Sequence, residues 1–320
     1  MKTRVRQVVA AALVAAAVTA VFPALGAATV IGIVYPECCE AYDTAIKGLR
    51  IELAAGGYGA GQAEIYEQKP SSDPMSWSNA FRKFVGVDAD LIIIFSDEML
   101  EIACKEKTKI PVLFGFVADP AGAKCIKSEE SPGRNVTGVS GRTPIYTLLA
   151  KSQNIQKFST VGVFDLKGST ISSATLKEVG SHQGEFGYSV VPIPAEKRDE
   201  MASALSAAAS FDVLFFPNFS VGMAESAAIS KAAAGRKVPV ISLRPSESGA
   251  RSLLSLYANP EEQGKLMGRM AVRLLKGESP AKTSVVNPKK IELEVGVGVA
   301  KQLGLKIPMS VLQSATKVNR

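Results

Sequence analysis

The feature that most constrains this chain is a set of short, uninterrupted apolar runs that recurs in the same order in two halves. Val30-Ile31-Gly32-Ile33-Val34 is matched 130 positions later by Thr160-Val161-Gly162-Val163-Phe164. Asp90-Leu91-Ile92-Ile93-Ile94 is matched by Asp212-Val213-Leu214-Phe215-Phe216 at an offset of 122, and Lys109-Ile110-Pro111-Val112-Leu113 by Lys237-Val238-Pro239-Val240-Ile241 at 128. Runs of this length, bounded by turn residues, suit parallel strands covered on both faces. One match means little, but three in the same order at nearly constant spacing indicate two similar lobes. Helical segments separate the runs. The first half reads as strand 30–35, helix 40–56, strand 63–67, helix 75–86, strand 90–95, helix 98–107, strand 111–116 and helix 120–127. Such alternation predicts an α/β fold of two doubly wound parallel-sheet lobes.

The first half runs out at the turn-rich Ser131-Pro132-Gly133-Arg134. A strong helix over Pro260–Lys276, with Leu266, Met267, Met270, Leu274 and Leu275 on one face, and a strand over 290–295 follow the second set of runs. The chain is therefore expected to cross between lobes more than once, through a multi-strand hinge. Lobe 1 is expected to comprise 29–138 and about 258–285, and lobe 2 139–257 and about 286–320.

Ahead of the first strand, Lys2, Arg4 and Arg6 precede a 15-residue apolar run, Val8–Phe22, and then Pro23 and small residues. This order marks a cleavable signal peptide over 1–28, cut after Ala27 or Ala28. The run is short of the ~20 residues that span a bilayer. No Cys follows the cleavage region, so no lipid anchor is expected, and the mature protein is expected in the periplasm. Without the leader, Lys plus Arg falls from 37 to 34 against 30 acids, an excess of about four. That excess is scattered, which argues against a nucleic-acid partner.

Export recasts the cysteines. Cys38, Cys39, Cys104 and Cys125 all lie in the mature part, where an oxidising compartment favours disulfides. Cys104 and Cys125 fall on consecutive predicted helices of one lobe and are the disulfide candidate. The adjacent Cys38 and Cys39 could form a vicinal bridge, stay as thiols, or bind a soft metal. No CxxC spacing points to zinc. The single histidine, His182, argues against a Ser-His-Asp triad or a His-based metal cluster. Gly56-Gly57-Tyr58-Gly59-Ala60-Gly61 follows a helix rather than a strand, so it is no dinucleotide fingerprint. No enzyme and no cofactor are expected.

In open α/β sheets, ligands bind beyond the carboxyl ends of the strands. Two such lobes face to face enclose a cleft that hinge motion closes. The candidate contacts are therefore the residues just after each strand: Glu37, Cys39, Tyr42 and Asp43, then Ser96 and Asp97, then Phe116 and Asp119 in lobe 1. In lobe 2 they are Asp165 and Ser169, then Asn218 and Phe219, then Arg244 and Ser246. Acids dominate the first set, whereas the second offers Arg244, hydroxyls and an amide. Asp97, Asp119 and Ser220 equally suit helix caps, and Arg244 could pair with Glu247. Tyr42, Phe116 and Phe219 suit either core packing or an aromatic wall.

Several motifs then fall in a familiar order. They are Phe84-Val85-Gly86, Ile110-Pro111-Val112-Leu113-Phe114, Val117-Ala118-Asp119-Pro120, Pro132-Gly133-Arg134-Asn135-Val136-Thr137-Gly138-Val139-Ser140, the stretch Gly264–Gly277 (GKLMGRMAVRLLKG), and Ala300–Pro308. The chain resembles the ABC-transporter substrate-binding family that includes tryptophan- and tyrosine-binding proteins. That resemblance implies a type I periplasmic-binding-protein fold and delivery of a small solute to an ABC permease, and a monomer is expected. Members often carry a neutral loop after the third strand, but here it is Ser96-Asp97-Glu98, which repels an anion and suits an amine or a hydroxylated solute. The expected solute is small, amino-acid-like or amine-bearing and partly flat, with any carboxylate facing Arg244 and Ser246. A sensory protein presenting its ligand to a receptor is the alternative, and a thiolate metal carrier using Cys38 and Cys39 a weaker one.

Overall fold

A computed structural model describes residues 28–320 apart from 38, 72, 107, 125, 218 and 219. The leader over 1–28 thus lies almost wholly outside the described residues. Among the described residues, no helix is long and apolar enough to cross a membrane.

The first apolar runs become the strands of one sheet. In chain order they are β1 (Thr29–Val34), α1 (Glu40–Ala55), β2 (Ala63–Gln68), α2 (Pro74–Gly86), β3 (Leu91–Phe95), α3 (Asp97–Lys105), β4 (Val112–Val117) and β5 (Val136–Ser140). Every residue of β3, β4 and β5 is buried, as strands flanked by helices on both faces must be. The strands pair in parallel in the order β2-β1-β3-β4-β5. Two apolar clusters flank this sheet, one around Leu49, Phe95 and Met267, the other around Trp77, Phe81 and Phe114.

The second set follows as α4 (Ile145–Ile155), β6 (Thr160–Leu166), α5 (Thr170–Ser181), α6 (Gln183–Phe186), β7 (Ser189–Ala195), α7 (Met201–Ala207), β8 (Val213–Phe216), α8 (Met223–Gly235), β9 (Val240–Ser242) and β10 (Leu254–Ala258). The chain then continues as α9 (Pro260–Leu275), β11 (Ile291–Gly296), α10 (Val297–Gln302), α11 (Met309–Gln313) and β12 (Lys317–Asn319). The second sheet has seven strands in the order β12-β11-β10-β9-β8-β6-β7. It is parallel except that β11 runs antiparallel to β10.

The internal repeat has a packing basis. A Cβ on Gly32 would lie 2.4 Å from the Phe84 ring, and one on its counterpart Gly162 would lie 2.7 Å from Phe211. Each lobe therefore seats an aromatic ring directly on the backbone of its first strand. The expected helix at 120–127 is a correction: residues 120–124 form turns. Asp119 closes the turn by accepting the Gly122 N–H at 2.9 Å, and Lys124 adopts a φ of 57° that a helix cannot continue.

Three connections cross between the sheets: residues 141–144, Asn259, and the segment leading to β11. They are tied together. Val286 donates to Gly138 O at 3.0 Å, Ser140 donates to Val286 O at 2.9 Å, and Asn259 N donates to Lys290 O at 2.8 Å. After its crossing, α9 packs on α1 so closely that a Cβ on Gly264 would lie 1.9 Å from Ala45 O. The glycines of the GKLMG stretch thus dock α9 against the first sheet's helical layer. These bonded crossings form the hinge.

Candidate ligand-binding cleft

Strands of both sheets direct their carboxyl ends toward the gap between lobes, and a chamber of about 630 Å³ lies there. That volume suits a small molecule. Lobe 1 lines it with Asp97, Glu101, Asp119 and Lys124, the hinge with Gly141, Arg142 and Thr143, and lobe 2 with Ser169, Thr175, Glu178 and Leu243. Gly141 and Leu243 also border a narrow inner end of about 20 Å³, room for a single water. Cys39, Tyr42, Phe116, Arg244, Tyr257 and Gln263 surround it.

The inner end is aromatic. The ring of Tyr42 meets that of Phe116 edge-on, with centroids 5.0 Å apart, and Phe95 stacks on Phe116 at 5.6 Å. Phe116 sits at φ 59°, an unusual conformation for a bulky residue. Gln263 of α9, itself 2% exposed, secures it: Oε1 accepts the Phe116 N–H at 3.3 Å while Nε2 donates to Ala258 O at 3.3 Å. Ser96, with φ 94°, caps α3 by accepting the Met99 N–H.

The chamber is acidic: Asp97, Glu101, Asp119 and Glu178 face Lys124 and Arg142. Arg142 is already engaged with Glu129 at 2.7 Å. Asp97 is buried, and its two oxygens accept the Ala118 N–H at 3.0 Å each, with Asp119 N at 3.1 Å. Burial pushes the Asp97 carboxyl up to about 7, outweighing the backbone donors that favour its ionised form. Burial likewise raises the Glu178 carboxyl, with His182, Arg142 and Asp119 as weaker influences. At Glu247, burial raises the carboxyl against the opposing pull of Arg244.

Contacts reach across the gap. Glu98 of α3 pairs with Arg198 at 3.0 Å and accepts from Ser220, at 3.3 Å from its N–H and 3.1 Å from its hydroxyl. Arg198 stands over the ring of Trp77 at 5.1 Å. One turn along α3, Glu101 accepts from the Thr170 hydroxyl.

Tyr42, Phe116, Cys39 and Arg244 thus gather at the inner end, and Asp97, Asp119 and Ser169 line the chamber. The other sequence candidates lie elsewhere. Glu37 and Asp43 are exposed, Asp43 pairing with Lys69 at 3.2 Å. Asp165 lines an outer groove of lobe 2. Ser246 builds its own loop: its N–H donates to Glu294 at 3.3 Å and its hydroxyl accepts from Ser252 at 3.2 Å. Asn218, Phe219, Cys38 and Cys125 lie outside the described residues. Among the described residues, no group of three His, Cys, Asp or Glu side chains is placed to hold a metal ion.

Sequence reasoning missed Glu101, Arg142, Glu178, Arg198 and Gln263, whereas Glu98 stood in the acidic loop after the third strand that it had singled out. Glu101 had a signal, being four residues after Asp97 and so on the same helix face. Gln263 had none, because the return of α9 was readable but not which of its residues would meet Phe116, 147 positions away.

The family model described as "ABC transporter substrate binding protein" matches residues 30–319. The chain is 26% identical over 267 residues to the "Tyrosine-binding protein" of Clostridioides difficile, covering 82% of this chain and 77% of that one. It superposes with a TM-score of 0.83 on the "ABC domain in complex with L-Trp" from Streptococcus pneumonia, at 23% identity over 91% of this chain and 100% of that one. Against the ligand-free, open substrate-binding protein with adhesive properties from Clostridium difficile, the TM-score is 0.65 at 26% identity, over 91% and 99% of the two chains. The fold is that of a type I periplasmic binding protein.

Proposed function

Because the chain belongs to the family of ABC transporter substrate-binding proteins, whose members bind solutes rather than catalyse reactions, we propose that it captures an amine-bearing, partly flat solute in the interlobe cleft. It then delivers that solute to an ABC permease. The observation that carries this reading is the acidic lining of the chamber beside an aromatic end: Glu101 and Asp119, with the burial-raised carboxyls of Asp97 and Glu178, against two basic residues, and Tyr42 and Phe116 at the adjoining inner end. An ammonium group gains from such a surround, and a ring gains from edge-on aromatic partners. The same proposal includes export through the leader, a soluble monomer outside the cytosol, and lobes divided at about residues 138, 258 and 286. It also includes a Cys104–Cys125 disulfide. Cys104 is half-buried against the Trp77 cluster, and non-reducing peptide mapping should recover it joined to Cys125.

Native mass spectrometry of the mature protein from its own cell envelope tests the function. A bound amine should be released intact. Recovery of an anionic solute, or of one converted to product, refutes the proposal.

A further inference from the structure

At the inner end of the cleft, the Arg244 guanidinium is already matched. Arg244 is 6% exposed and Glu247 9%, and the guanidinium lies 3.4 Å and 3.5 Å from the two carboxylate oxygens. The N–H of Glu40, in the first turn of α1 across the gap, also interacts with Glu247. A guanidinium and a helix N-terminus are the two groups with which a cleft most readily receives an anion. Here both face an acid of the protein itself. The pair is neutral as a whole, and the adjoining chamber has an excess of acids.

We propose that Glu247 takes the place of a solute carboxylate, so that the cleft selects aromatic amines that carry none. The inference rests on the solute-binding reading and narrows its substrate class. An incoming amine meets carboxylates in the chamber and rings at the inner end. An amino acid brings the same ammonium and ring, but its carboxylate must displace Glu247 from Arg244 or remain beside acids. Displacement would leave Glu247 buried and unpaired, which is strongly unfavourable. The relatives named for tyrosine and tryptophan thus differ from this chain in the solute expected here, by one functional group.

Isothermal titration of the mature protein with tyramine, tryptamine, L-tyrosine and L-tryptophan tests this. Each amine should bind the wild type at least about tenfold more tightly than its parent amino acid. Glu247→Gln, which keeps the shape and removes the charge, leaves the Arg244 guanidinium uncompensated. Amino-acid affinity should then rise, amine affinity should not, and the ratio between each amine and its parent amino acid should shift toward the amino acid. Equal or tighter amino-acid binding by the wild type overturns the proposal, as does an unchanged ratio in the variant. Should the variant fail to unfold cooperatively, the wild-type ranking alone decides. If none of the four probes binds, this inference falls. A different amine recovered by native mass spectrometry would in that case leave the broader function standing.

Discussion

Glu98 and Arg198 belong to different lobes, yet their charged groups meet at 3.0 Å with side-chain exposures of only 10% and 17%. Ser220 supplies two further hydrogen bonds to the same carboxylate, so the charge is compensated within the interface. These contacts exist only while the lobes are together, and they do not involve the chamber. Glu98→Gln and Arg198→Gln should therefore each weaken binding of every solute by a similar factor, roughly tenfold, mainly through faster release. The double variant should be little worse than either single one. Titration and stopped-flow release measure this, and additive effects or altered solute ranking would refute the clasp.

Asp97 makes stability depend on pH. Burial raises its carboxyl from 3.8 to about 7, so the folded state holds a proton that the unfolded state releases. The contribution is fully present below about pH 4 and is lost as pH rises to about 7. Asp97→Asn should flatten this part of the profile. Urea unfolding at several pH values should show the variant gaining relative to wild type as pH increases, and parallel profiles would contradict the assignment.

Phe116 is expected to select for rings. Replacing it by Leu keeps an apolar side chain but removes the edge-on and stacked contacts with Tyr42 and Phe95. Affinity for an aromatic amine should fall about tenfold, in line with an aromatic pair energy near the top of its usual range. Affinity for an aliphatic amine of similar length should hardly change. A thermal-shift series with both amine types distinguishes these outcomes, and equal losses would remove the aromatic wall from the mechanism.

The repeated glycines should behave alike. Gly32→Ala and Gly162→Ala each force a methyl into a ring seated on the strand, Phe84 in one lobe and Phe211 in the other. Each should destabilise its lobe by about 1–3 kcal/mol, the usual effect of overpacking a core. Chemical denaturation followed by hydrogen exchange would place each loss in its own lobe. A silent substitution would mean that the ring can move aside.

Leu91–Phe95 and Val213–Phe216 show why the strands were readable: a run buried on both faces has little choice but apolar residues, so the core is written contiguously along the chain. Tyr42, Phe116 and Arg244 were also legible, because strand ends of an α/β sheet converge on the gap. Glu37 and Asp43 follow β1 as Tyr42 does, yet the structure turns them to solvent, and Asp165 falls inside β6, at an exposed position that borders an outer groove. Position after a strand does not fix the direction of a side chain.

By itself, the sequence determined two similar α/β lobes, the return of a helix across the hinge, and the acids and rings available to a site. These depend on local pattern, where burial dictates residue type over a few consecutive positions. Only the tertiary structure decided that Asp97 would be occupied by the Ala118 and Asp119 backbone, that Gln263 would hold Phe116, and that Glu98 would meet Arg198. Those relationships join residues about twenty to 150 positions apart, and the energies that select them are electrostatic and packing terms that exist only once separate segments share one desolvated space.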